Sequence, residues 1–141
     1  MNQNSITTRI TDQANEYFQA NYKNRFQGAR MALECYPSLR EESRRSLKGI
    51  FTQEELALVI VSHQGELLDG KELASRRMFE GFLADYWDKN KEQHLTVDFA
   101  PFIKKIRKLG CFERFILREL AYGHWNNPGV PVFMDLLEEL V

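Results

Sequence analysis

The residues of this chain best suited to chemistry are cations and hydroxyls near its start, and the chemistry they suit is recognition. Ser5, Thr7 and Arg9 alternate with Ile6, Thr8 and Ile10. In an extended segment successive side chains point to opposite faces, so this run would present one polar, Arg-bearing face and one more apolar face. A guanidinium such as that of Arg9 can pair with O6 and N7 of guanine together, whereas Ser5 and Thr7 can bond base edges or phosphates with less discrimination. Lys23, Asn24, Arg25, Gln27 and Arg30 follow within a short break and the helix after it. They are candidates for contacts that hold a duplex by its backbone.

Catalysis and metal binding find little support in the same inventory. His63, His94 and His124 are far apart, and none has a Cys or carboxylate at a ligand spacing. No Cys-x-x-Cys, His-x-x-x-His or HExxH arrangement occurs. The glycines are scattered at expected helix ends, where capping explains them, rather than gathered into a phosphate-cradling loop. Cys35 and Cys111 fall at apolar helical positions, which predicts buried thiols. The expectation is a chain that is not an enzyme and takes no metal or cofactor.

Positioning the amino-terminal residues requires a strand over residues 5–10, and one strand at the head of a helical chain has no ladder partner in its own sequence. The same strand of a second copy is the natural partner, which predicts a homodimer with Ile6, Thr8, Ile10 and Leu33 as its contacts. Thr11 and Asp12 suit the start of a first helix, along which Ala14, Tyr17, Phe18 and Asn21 share one side. After the break, residues 29–36 read Ala-Arg-Met-Ala-Leu-Glu-Cys-Tyr.

Over residues 5–36 this order resembles the ribbon-helix-helix family of DNA-binding repressors, whose second helix commonly carries Ile-Arg-x-Ala-Leu-x-x-Tyr. The match holds at every position of that pattern but the first. The resemblance implies paired strands entering the major groove, with Ser5, Thr7 and Arg9 on the reading face. It also implies a phosphate held by backbone amides at the start of the second helix. The break at residues 23–28 departs from the family, because it is shorter and lacks the usual Gly-x-Ser-x-Ser.

Charge distribution points the same way. Residues 1–48 hold eight Lys and Arg against five acids, a net of +3, which leaves −4 on the remainder of a chain whose total is −1. With 141 residues, 43% hydrophobic and 28% charged, the chain is long enough for a sizeable core. No apolar run approaches a membrane span, and the amino terminus lacks the pattern of a signal peptide, so a cytoplasmic location with no membrane partner is expected.

Pro37 predicts a boundary, followed by a charged connector helix over residues 38–48 that stops at Gly49. Thr52-Gln-Glu-Glu55 is a capping box for a helix that is apolar on nearly all sides, and so a central one. A long helix is predicted over about 71–89, another from near Asp98 to Gly110 with Pro101 in its first turn, a further one over about 112–125, and a short terminal one over 132–140. Most of the aromatics after residue 78 are expected in the core. Lys104, Lys105, Arg107 and Lys108 are expected on an exposed helix face. This second part is similar to a helical domain that stands behind ribbon-helix-helix-like starts in uncharacterised bacterial and phage-borne proteins, which implies a domain order and no activity.

The sequence therefore predicts a mainly α protein, with a β-α-α ribbon-helix-helix module over 1–48 and a helical bundle over 49–141. Two functions remain open. One is a DNA-binding transcriptional regulator, a dimer or tetramer acting as a repressor, with its own operon as one candidate target. The other is a phage or plasmid inhibitor or adaptor that binds a protein through residues 50–141 and uses the amino-terminal module only to dimerise.

Overall fold

Among the described residues, seven α-helices begin where the sequence supplies local reasons for them. The computed structural model describes residues 12–126 together with Glu138, Leu140 and Val141. The helices are α1 (Asp12–Asn21), α2 (Arg25–Leu47), α3 (Gln53–Ser62), α4 (Gly70–Ala74), α5 (Arg76–Asn90), α6 (Phe99–Arg107) and α7 (Cys111–Asn126), with a 3₁₀ turn at Lys91–Gln93. The predicted capping box opens α3. Thr52 Oγ1 accepts from the Glu55 amide at 3.2 Å, and the Glu55 carboxylate accepts from the Thr52 amide at 2.9 Å. Asp69 and Glu72 repeat the device at α4, with both bonds at 2.8 Å.

Three expectations about elements are corrected. Among the described residues there is no strand and no sheet, so the predicted fold class, with its amino-terminal ribbon, gives way to an all-helical one. The physical reason is that a strand needs an edge to pair with, and the described elements, all helical, offer none. Residues 5–10, on which that strand was placed, lie outside the described residues. Pro37 does not end a helix, because α2, 23 residues long, runs through it. Proline deprives one preceding carbonyl of its partner, and on an exposed stretch of helix water can take that role. The helix predicted over 71–89 is broken at Ser75, whose Oγ accepts from the Met78 amide at 3.2 Å and starts α5 afresh.

The chain divides into two compact units, Met1–Ser38 and Leu39–Val141. The division falls inside α2, whose last residue, Leu47, is wholly buried in the second unit's core. In that unit α3 is central, packing against α5 and α7, while α5 also meets α6, and α4 meets α5 and α7. Leu56, Leu58 and Val59 of α3 are fully buried, as are Phe79 and Leu83 of α5, Phe102 of α6, and Ile116, Leu117 and Leu120 of α7. Gly49 makes the turn out of α2 at φ 75°, a conformation that favours glycine, and its amide donates to the Leu140 carbonyl at 3.0 Å.

Two buried charges stitch this bundle. The Arg114 guanidinium donates to the carbonyls of Leu73 (2.6 Å), Leu109 (2.7 Å) and Ala74 (3.1 Å), so one cation closes the ends of α4 and α6 against α7. Lys105 donates to both oxygens of Glu55 at 3.0 and 2.7 Å and lies over the Phe51 ring. The basic run of α6 is thus only partly a solvated face. Lys105 grips the capping carboxylate of α3, and Arg107 pairs with Glu80 of α5 at 2.7 Å. Cys35 and Cys111, predicted buried, are both exposed. Their helical positions look apolar in sequence, but the faces of α2 and α7 that carry them are exposed.

Candidate functional site

In the first unit α1 and α2 meet at Gly28. A Cβ at that position would stand 2.6 Å from Phe18 Cδ1 and 2.7 Å from Tyr22 Cδ2, so only glycine allows the two aromatic rings this close. Asn24 begins α2: its Oδ1 accepts from the Phe26 amide at 2.9 Å, and its carbonyl accepts from the Gln27 amide at 3.0 Å. This packing leaves most apolar side chains of the unit uncovered. Gly28 is the one described residue of α1 and the amino-terminal half of α2 that is buried. Phe26 is 69% exposed, Tyr17 60%, Leu33 56% and Met31 47%.

The residues expected to recognise DNA all fall within the span of this unit. Ser5, Thr7 and Arg9, with the expected dimer residues Ile6, Thr8 and Ile10, lie outside the described residues. Lys23, Asn24 and Gln27 are exposed at the α1–α2 turn, and Arg25 is the first residue of α2. Arg30 is exposed and pairs with Glu34 one turn on, Nε to Oε1 at 2.9 Å. Leu33, the remaining expected dimer residue, is exposed beside it. Sequence reading missed Tyr17, Phe26 and Met31 as surface features. Their signal was present in a helix pair with more apolar residues than so short a hairpin can cover.

A second feature belongs to the unit that starts at Leu39. An open cleft of about 300 Å³ runs between α2 and the start of α7. Leu39, Cys111 and Phe112 give it an apolar lining, and its charged groups are the carboxylates of Glu42 and Glu113. Glu113 is held in place, accepting from the Gly110 amide at 2.9 Å and from Ser46 Oγ at 2.8 Å. Glu42 and Ser46 are one turn apart on the same face of α2, which brings the Glu42 carboxylate toward the same mouth.

Among the described residues no three His, Cys, Asp or Glu side chains gather as they would around a metal ion. His63 sits inside α3's carboxy-terminal end. Its Nδ1 lies 2.7 Å from the Val59 carbonyl, which can only accept, so Nδ1 carries the proton. Nε2 is then a buried acceptor with no partner among the described residues, and the ring rests against Phe82 at 4.8 Å. Burial lowers the pKa of His63 below its usual 6.5, opposed by the Val59 bond and assisted by the nearby Arg118 charge. His94, bonded through Nε2 to the Tyr86 hydroxyl at 2.8 Å, is likewise lowered by burial.

No protein family, no curated protein and no solved structure matches this chain. No described helix is long and apolar enough to cross a membrane.

Proposed function

We propose that the chain is a protein-binding adaptor or inhibitor whose amino-terminal helices hold two copies together. The observation that carries this reading is the exposure of Tyr17, Phe26, Met31 and Leu33 on a helix pair that buries almost nothing of its own. Phe26 and Leu33 stand two turns apart on one face of α2, and exposed apolar side chains arranged in this way mark association surfaces. A second copy suits the face because its charges are self-complementary. Arg30 and Glu34 stand one turn apart beside Leu33, so an antiparallel partner sets each copy's Arg30 beside the Glu34 of the other. The opposed helix dipoles of such a pair also favour that arrangement.

Sedimentation of the purified chain tests this directly. A dimer is expected at micromolar concentration, and Leu33→Asp should yield a monomer with unchanged helicity. A buried Leu contributes about 1.5–3 kcal/mol, so its loss alone should weaken association at least about tenfold. A chain that remains monomeric at high micromolar concentration refutes the self-association. If that monomer bound duplex DNA with a steep salt dependence, the regulator reading through Lys23, Arg25 and Arg30 would take precedence.

A further inference from the structure

We infer that the cleft between α2 and the start of α7 is a docking groove for a basic side chain, lysine or arginine, flanked by an apolar residue on a partner polypeptide. The inference deepens the adaptor reading, resting on it only in that a protein partner exists. Three observations place the occupant. The lining is apolar where a side chain's stem would lie, along Leu39 and Phe112, and Phe112 stays 38% exposed although the core is adjacent. The charge at the mouth is of one sign, from Glu42 and Glu113, and no cation among the described residues lines the cleft. Both carboxylates also lack an ion-pair partner among the described residues, in a unit where Glu55, Glu80 and Glu119 each have one.

The chemistry of lysine and arginine fits that arrangement. Each has an aliphatic stem that covers apolar surface while its charged head stays at the polar edge. Seated on Leu39 and Phe112, the stem would bring the head between the two carboxylates. Glu113 is fixed there by Ser46 and the Gly110 amide, so part of the ordering cost of the pair is already met. An acidic segment would meet repulsion from both glutamates. A purely apolar segment would leave them beside a low-dielectric neighbour with no counter-charge.

The two exposed thiols allow a test on the full chain. Cys111 lines the groove and Cys35 lies in the other unit, so one reports occupancy and the other serves as control. Peptides are selected from a random display library, synthesised, and titrated by fluorescence anisotropy, with thiol labelling mapped by mass spectrometry. The expected consensus carries Lys or Arg next to an apolar residue. A saturating selected peptide should slow labelling of Cys111 at least about fivefold and leave Cys35 unchanged. Glu42→Lys should weaken binding at least about tenfold with melting temperature unaltered, since Glu42 makes no ion pair among the described residues. Phe112→Ser should weaken it as well.

An enriched consensus without a basic residue overturns the inference, as does undiminished binding to Glu42→Lys or equal labelling of Cys111 with and without peptide. Failure to enrich any peptide also counts against it. The readouts are separate from those for self-association: Leu33→Asp should still bind the peptide. A chain that sediments as a monomer yet binds basic peptides in this way refutes the dimer and supports the groove.

Discussion

His63 carries a cost that the fold accepts only while the imidazole is neutral. Its Nδ1–H is committed to Val59, Nε2 faces a buried environment with no partner among the described residues, and Arg118 stands near enough to oppose a second cation. Because burial lowers its native pKa below 6.5, the unfolded chain takes up a proton that the native chain refuses. Stability from this group is therefore present in full above about pH 6.5 and is lost as pH falls through that value toward the lowered one. The melting temperature should drop between pH 7 and pH 5, and His63→Leu should flatten that part of the curve when followed by circular dichroism. Arg114 poses the opposite case, a buried charge that is fully used. Arg114→Leu would leave the carbonyls of Leu73, Ala74 and Leu109 without their donor. Hydrogen bonds to charged groups contribute about 1.5–3 kcal/mol each, so urea unfolding should show a loss of at least about 3 kcal/mol.

Elements in this protein start by capping and meet by close approach. Thr52→Ala removes half of the box that opens α3 and should cost about 1 kcal/mol in the same urea assay. The Glu55 half would survive, since Lys105 holds that carboxylate as well. Gly28 controls how α1 meets α2. Gly28→Val would push against the Phe18 and Tyr22 rings, already within 2.6 and 2.7 Å of where a Cβ would stand. Faster amide exchange across Asp12–Asn21, with α3 to α7 unchanged, is the expected result. Equal protection in the variant would show that α1 is held by something other than that contact.

At the scale of the whole molecule, the division inside α2 makes a prediction about which fragments fold. A fragment of residues 39–141 should fold cooperatively, because it keeps Leu47 in the core, the 2.9 Å Arg40–Glu119 pair and the bond from Ser46 to Glu113. A fragment of residues 49–141, cut at the boundary read from Gly49, lacks Leu47. Losing a wholly buried leucine costs about 2–5 kcal/mol, so this shorter piece should unfold at clearly lower urea. Matching transitions for the two fragments would mean that α2 adds nothing to the second unit.

Helix starts were legible in the chain because a cap is a matter of three or four neighbouring residues: Thr52 with Glu55, Asp12 at α1, Pro101 tolerated in the first turn of α6. The central place of α3 was legible too, since a helix apolar on nearly every side has nowhere to go but inside. The choice between burial and exposure for an individual side chain was not. Cys35, Cys111, Leu33 and Phe112 have the spacing of core residues, yet stand exposed because no described element covers them. The strand read from Ser5–Ile10 had a period but no edge to pair with among the helices. Arg114, a plain surface residue by its sequence, is buried because the carbonyl ends of two other helices, up to forty-one residues away along the chain, converge on it. Local chemistry set where helices begin, and tertiary packing alone decided which of their faces are covered, because covering a face needs partners that the local sequence does not contain.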